Sequence, residues 1–330
     1  MKKRLLLVGT LLALLVLTGC GQTPSEYEAY LSPWKLNAAA EAKQTQEMRF
    51  YFMAGEGLRM GEESDPEKWG DSCLIVFPDG QTMLIDTGMA AYAPVLVENL
   101  HRLGVKKLDY LVISHPHDDH AYGALTEGGI LDSFPVGKAF CNGAYNSNWS
   151  DPQALEKALR KHDVPWQAWR KGDSLDIGPV HASVLWPTEA EGQTYTRTED
   201  INDSSLVLRF DYGEFSALFT GDIYRTAEWK LLEQDSAALD VDLLKIPHHG
   251  NQTSSSADFA AAVSPELAVA TGRLAMTTTI YYTYTKNGAR VCFDFCDGYI
   301  SAAAKADGTL TAQTSRARTV TTYDAYDYKG

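Results

Sequence analysis

The segment Ser114-His115-Pro116-His117-Asp118-Asp119-His120 follows the apolar run Leu108-Asp109-Tyr110-Leu111-Val112-Ile113. The run reads as a buried strand, and directly behind it stand three of the chain's eight histidines and two adjacent aspartates. Imidazoles and carboxylates crowded at a strand end repel or desolvate one another unless a cation sits among them, so the stretch reads as a metal site. His115 and His117 alternate, so a turn after the strand can aim both rings at one ion, while Asp119 and His120 point past it toward a second. This spacing implies a binuclear centre. The bland alternative is a polar loop in which each histidine finds its own hydrogen bond, but H-x-H-x-D-H behind an apolar strand is a specific pattern. Asp118 is read as solvated.

The chain has 330 residues, 45% of them hydrophobic, enough to bury one large domain or two small ones. Lys2-Lys3-Arg4, the apolar Leu5 to Leu17, and Leu17-Thr18-Gly19-Cys20 describe a secretory signal rather than a membrane span, because the apolar stretch is short. The last four of these residues resemble the bacterial lipobox. That resemblance implies a lipoprotein signal peptide over residues 1–19, a lipid on the thiol of Cys20, and an extracytoplasmic protein anchored to a membrane. Residues 20–46, rich in alanine and glutamate, read as a tether that carries a loose helix, and residues 47–330 as the globular domain. The formal net charge is −14, and loss of the basic signal makes the mature chain more acidic still. An acidic surface disfavours tight non-specific binding of nucleic acid, which depends on lysines and arginines. No protein partner is evident. Beyond Cys20 only Cys73, Cys141, Cys292 and Cys296 remain, too few for a disulfide scaffold. The last two lie in what reads as a single strand, too far apart to bridge.

Met48 to Met53 reads as the first strand, and Ala54 to Trp69 as an exposed insertion. Cys73 to Phe77 and Thr82 to Ile85 flank the turn Pro78-Asp79-Gly80 and deliver Asp86-Thr87-Gly88. The apolar spacing of Val95, Leu96, Leu100 and Leu103 predicts a helix over Ala91 to Leu103 that stops at Gly104. Asp151-Pro152 is expected to open another helix running to Lys161. Trp166 to Arg170 and Val180 to Trp186 read as strands. His101, His162 and His181 each stand alone and read as ordinary surface or core residues. A second hairpin, Ser205 to Phe210 and Phe215 to Thr220, ends in Gly221-Asp222, and Leu243-Leu244-Lys245-Ile246-Pro247 leads to His248-His249-Gly250. Three strand ends thus present metal ligands.

Taken together, Gly70-Asp71-Ser72, Asp86-Thr87-Gly88, His115 to His120, Asn202 to Leu208, Thr220-Gly221-Asp222 and Lys245 to Gly250 resemble the ComEC-like branch of the metallo-β-lactamase fold. That branch includes the hydrolase domain of competence proteins and, more distantly, phosphorylcholine esterases. The resemblance implies an α/β fold, a four-layer αββα sandwich with the metals at one edge between two sheets. By the same resemblance His115 and His117 hold the first metal, Asp119 and His120 the second, Asp222 bridges them, and Asp86 supports the ligands from behind. His249 is favoured as the last ligand, with His248 meeting the substrate; the reverse order is the alternative. The sequence departs from the wider fold in having no histidine between His181 and Asp222, where Asn202 stands, and from its own branch in having none after Thr271. From Thr277 onward the Thr-, Tyr- and Val-rich tail, with turns at Asn287-Gly288, Asp297-Gly298 and Asp307-Gly308, reads as short strands that finish the second sheet or form an appendage.

Two divalent cations around a shared carboxylate can activate a water as nucleophile and neutralise charge on a phosphoryl or carbonyl oxygen. Histidine and carboxylate without thiolate suits zinc, manganese or iron, with zinc or manganese favoured. The resemblance and the missing histidine favour a phosphodiester over a carbonyl substrate, with metal-activated hydroxide attacking phosphorus while His248 or Asn202 hydrogen-bonds the non-bridging oxygens and Asp119 takes part in catalysis. The leading reading is an extracytoplasmic phosphodiesterase acting on a nucleotide, a nucleic-acid fragment or a phosphorylated envelope component. Hydrolysis of a carboxylic ester, lactone or amide is the second reading, and a non-catalytic lipoprotein serving DNA or solute uptake is the third. Thr253 and Ser254 either line the pocket or cap the following helix.

Overall fold

A computed structural model describes residues 37–53, 70–272 and 278–315. The expected signal segment and Cys20, the expected insertion at 54–69, residues 273–277 and the chain beyond residue 315 lie outside the described residues. Among those described, no helix is long and apolar enough to cross a membrane.

Helix α1 (Ala38–Thr45) and strand β1 (Met48–Phe52) come first, then the hairpin of β2 (Cys73–Val76) and β3 (Thr82–Ile85). Helix α2 (Ala93–Arg102), strand β4 (Leu108–Ile113), helices α3 (Asp118–Leu125) and α4 (Ile130–Ser133), and strand β5 (Val136–Cys141) follow. Next are β6 (Tyr145–Asn146), α5 (Ala154–Lys161), β7 (Trp166–Ala168), β8 (Ser174–Ile177), β9 (Val180–Trp186), β10 (Thr194–Tyr195) and α6 (Thr198–Asp203). The second hairpin, β11 (Val207–Tyr212) and β12 (Phe215–Phe219), leads to α7 (Arg225–Asp235), β13 (Leu243–Lys245), α8 (Ala257–Val263) and β14 (Leu267–Ala270). Helix α9 (Thr278–Thr285), β15 (Arg290–Phe293), the short α10 (Asp294–Asp297), β16 (Ile300–Ala304) and β17 (Leu310–Thr314) complete the described chain.

These strands form an eight-stranded sheet, β17-β16-β1-β2-β3-β4-β5-β7, and a seven-stranded sheet, β15-β14-β13-β12-β11-β9-β8. Strands β6 and β10 pair separately. Both faces of each large sheet are covered, which is why β2 reads Cys-Leu-Ile-Val without polar alternation. Cys73 and Ile75 point between the sheets, where they join Phe50, Phe52, Val112, Phe210, Phe219 and Val269. Leu74 and Val76 point outward against α1 and α2, alongside Ala42, Leu96 and Leu100. The outer face of the second sheet packs Leu218, Leu244 and Ala268 against Leu231, Phe259, Val263 and Ile280 of α7, α8 and α9. Helix, sheet, sheet and helix layers therefore stack as the αββα sandwich expected from the motifs. Phe219 ties the middle together, its ring stacked 6.0 Å from Phe52 and 6.1 Å from Phe50.

Several expectations change. The loose helix expected within the tether is found at 38–45, but it is seated on the first sheet as part of the domain, with Ala38 and Ala42 fully buried. Its alanines allow close approach to the sheet but give no large apolar signal. Helix α5 starts at Ala154 rather than at Pro152, while the Asp151 carboxylate at its entry accepts from Gln153 N at 3.1 Å and pairs with Lys157. In the tail, residues 278–285 are helical, since Ile280 and Tyr284, one turn apart, both sink into the outer core. Strand β15 adds to the second sheet, but β16 and β17 extend the first. Strand β15 ends at Phe293, short of Cys296, and Cys292 is buried, like Cys73 and Cys141.

Helix α3 crosses the loop after β3 so closely that a Cβ on Gly123 would lie 1.9 Å from Thr87 O. Alanine favours a helix over glycine by about 1 kcal/mol, yet here the loop must move. Gly123→Ala is expected to lower stability by roughly 1–3 kcal/mol, read as an earlier urea midpoint. A later midpoint would disprove this packing.

Candidate metal centre

Strands β3 and β4 run parallel to each other in one sheet, as do β12, β13 and β14 in the other, so the loops after them gather at one edge of the sandwich. Asp86 closes β3 in a left-handed conformation, φ 58°. Its carboxylate accepts from Ser114 N at 2.7 Å and from the Ser114 hydroxyl at 2.8 Å, and it lies 2.8 Å from His120 Nδ1. Asp86 therefore fixes both the start of the histidine loop and the ring of its last member. Gly221, with φ 51°, turns β12 into Asp222 where a Cβ would meet Ser205 Cβ at 2.6 Å. After β13 a tight turn places His248 and His249 in succession at φ 48° and 55°. Backbone strain of this kind persists where surrounding structure over-determines it, and here it aims two adjacent rings.

Three buried histidines have their Nδ1 atoms tied off. Ser114 Oγ lies 3.0 Å from His115 Nδ1, Asp86 holds His120, and Thr271 O lies 2.7 Å from His249 Nδ1. Their Nε2 atoms turn inward. His120 Nε2 and His249 Nε2 each lie 3.2 Å from Asp222 Oδ2, and Asp119 Oδ2 lies 3.3 Å from His249 Nε2. His115 Nε2 and His117 Nδ1 are 2.9 Å apart, and the His115 ring is 4.1 Å from that of His120. The residues read as ligands from the sequence, His115, His117, Asp119, His120, Asp222 and His249, are thus gathered in one place.

The electrostatics invite positive charge. Burial raises the Asp222 carboxyl, but His249 and His120 pull it well below its ordinary value. Burial alone would depress His120 and His249; Asp222 and Asp86 around the first, and Asp222 and Asp71 around the second, lift both well above the ordinary imidazole range. His115 moves the other way, pushed well down by burial and by the neighbouring His120 and His117. His120 Nε2, His249 Nε2 and Asp222 Oδ1 are buried without a hydrogen bond. Donor atoms around a tetrahedral ion at about 2.1 Å stand roughly 3.4 Å apart, close to the spacings here. The donor set fits divalent cations.

Asp71, His120, Asp222 and His249 each bring one possible ligand atom within 4.8 Å of the others. Asp71 was quoted in the sequence motifs without a role. Its carboxylate sits on the Nδ1 side of the rings, 4.0 Å from His120 Nδ1 and 3.3 Å from His249 Nδ1, and is engaged by Lys245 and the Thr271 hydroxyl. Burial raises it, while Lys245 and His249 hold it down at about 2. We assign Asp71 to holding the rings from behind. Lys245 and Tyr224 were also missed, although a lysine within the buried run Leu243 to Ile246 was a visible anomaly. Asn202 is buried, with its Oδ1 unbonded and its amide against the Tyr224 hydroxyl. Ser256, rather than Thr253 or Ser254, caps α8, its hydroxyl accepting from Phe259 N at 3.3 Å. Thr253 instead lies against His248, and Ser254 donates to Ile223 O at 2.7 Å. His101, His162 and His181 lie away from the cluster; His181 pairs with Asp176 at the surface.

Histidines and aspartates on the parallel strand ends of an αββα sandwich define a class of metal-dependent hydrolase. The chain belongs to the metallo-beta-lactamase superfamily, whose family model matches residues 68–272. Sequence relatives include Competence protein ComA of Neisseria gonorrhoeae, 35% identical over 60% of this chain and 25% of that protein. ComE operon protein 3 of Bacillus subtilis (strain 168) is 28% identical over 61% of this chain and 26% of its own length. The chain thus spans about a quarter of the length of these relatives. Among solved structures it resembles the metallo-beta-lactamase fold protein YhfI from Bacillus subtilis, with 14% identity and a TM-score of 0.48 over 81% of this chain and 99% of that one.

Removing His120, Asp222 or His249 as alanine variants is expected to leave less zinc or manganese per chain after dialysis, measured by plasma mass spectrometry. Asp86→Ala should weaken metal affinity by about 10–100-fold. His181→Ala should match the unaltered protein; equal loss in it would sink the assignment.

Proposed function

We propose that this chain is a binuclear-metal phosphodiesterase, held outside the cytoplasm by a lipid on Cys20. The observation that carries the reading is the rim of the site. His248 Nε2 lies 3.9 Å from Asp222 Oδ2 and its side chain keeps 15% exposure, so it sits beside the ligand cluster but remains open to a substrate. Its ring is held on two sides, by Thr253 Oγ1 2.5 Å from Nδ1 and by the Tyr224 ring 4.9 Å away. Burial pushes its pKa down to about 4, which leaves the ring neutral near pH 7. With the Thr253 hydroxyl donating to Nδ1, the remaining proton sits on Nε2 and faces the site.

His115, His117, Asp119, His120, Asp222 and His249 would hold divalent cations, which when bound would supply Lewis-acid activation of water and neutralise charge at the reacting centre. The chain's own rim groups do the rest. His248 Nε2–H donates to a non-bridging oxygen of the bound diester, and Asn202 with Tyr224 closes the adjacent wall with neutral polar groups. A phosphodiester offers two such oxygens, which matches a rim of donors better than one carbonyl oxygen does. The name of one relative, Competence protein ComA, is consistent with a nucleic-acid fragment or nucleotide as substrate, and the net charge of −14 favours small diesters over long polymers. The basic, apolar and Leu-Thr-Gly-Cys sequence before residue 21 supports the anchor.

The full chain, extracted in detergent and loaded with zinc or manganese, should hydrolyse a chromogenic phosphodiester. Asp119→Ala should abolish turnover, and His248→Ala should lower kcat by about 10²-fold while metal content stays unchanged. Turnover of carboxylic esters alone would replace the diester reading, and metal-loaded protein inert toward both would favour a binding role. A lipid-sized mass increment that disappears in Cys20→Ser tests the anchor.

A further inference from the structure

Strand β13 carries a lysine where its neighbours are Leu243, Leu244 and Ile246, and the whole Lys245 side chain is buried, with 5% exposure. Buried lysines are rare and costly unless paired. Its ammonium touches the Asp71 carboxylate, donates to Gly221 O at 3.3 Å and lies 3.7 Å from Asp222 Oδ1. The two oxygens of Asp222 therefore face different charges. Oδ1 looks back at the lysine and makes no hydrogen bond, while Oδ2 alone meets His120 Nε2 and His249 Nε2, each at 3.2 Å. Nothing else cationic holds Oδ1 in the described contacts, so without the ammonium this carboxylate is free to rotate and offer both oxygens to the histidine side. The same ammonium steadies Asp71, which backs His249 Nδ1 at 3.3 Å.

We propose that Lys245 is a positioning residue: by holding Asp222 Oδ1 from behind, it turns Oδ2 alone toward the His120 and His249 rings and so sets how many cations the cluster takes up and how they are coupled. The proposal rests on the reading that the cluster holds divalent cations. Lysine is suited to the task because it is a point charge on a flexible stem, able to lie between two carboxylates without the planar fork that an arginine would bring.

The test uses the full chain with manganese as the probe, reading metal per chain after dialysis and the electron paramagnetic resonance of the bound ions. Unaltered protein is expected to hold two manganese ions with an exchange-coupled signal. Lys245→Met should retain one tightly held ion, weaken the second by at least tenfold, and lose the coupling. Because removing one member of a buried ion pair can unfold a protein, the double variant Lys245→Met with Asp71→Asn removes both members. It is expected to fold, by circular dichroism, and to show the same loss of the second ion. A folded variant of either kind with two coupled ions at unchanged affinity overturns the proposal and leaves the metal reading intact. Unaltered protein that binds no manganese or zinc overturns both.

Discussion

Four aspartates, Asp71, Asp86, Asp119 and Asp222, are buried within one cluster of strand ends, and everything at this edge of the sandwich follows from the need to compensate them. Their side chains are 7% exposed or less, so bulk water contributes little. Compensation comes from inside the chain: Lys245 for Asp71 and one side of Asp222, and the inward-turned histidines for Asp119 and the other side. Removing one partner from such a set leaves a charge stranded in a poor dielectric, a cost larger than the net worth of the pair. The left-handed backbone at Asp86, His248 and His249 is tolerated because it brings these groups into register.

The fold positions the centre by parallel pairing. Where neighbouring strands run the same way, their carboxyl ends come out at the same edge, and five loops from two sheets can meet without any one of them being long. A short loop on a rigid strand places a side chain more accurately than a long one. The hydroxyl of Ser114, bonded to Asp86 and next to His115, shows how a small residue between ligands links neighbouring strand ends.

Much of this was legible in the sequence. The histidine loop, Asp86, Asp222 and His249 each follow an apolar run, so the strand that delivers them and the residue delivered are read together. What escaped was of two kinds. Asp71 precedes its strand rather than following it, and its partners Lys245 and Thr271 come from distant β13 and β14, so no local pattern marks their meeting. Helix α9, and the seating of α1 on the first sheet, escaped because threonine-tyrosine and alanine stretches carry misleading or weak local signals, and tertiary burial of Ile280 and Tyr284 or of Ala42 decides the outcome. The lysine inside β13 was the one visible clue to the charge network that the motif reading passed over.

Strand β1 pairs with β16, Phe50 opposite Ala302, so the first sheet is zipped shut by segments from opposite ends of the described chain. The family match ends at residue 272, before this closing strand. During synthesis the amino-terminal strand must therefore wait, one edge unsatisfied, until almost the whole domain has emerged. Long-range pairing of this sort is slow to nucleate. A chain built this way becomes hard to pull apart only once its last strands have arrived.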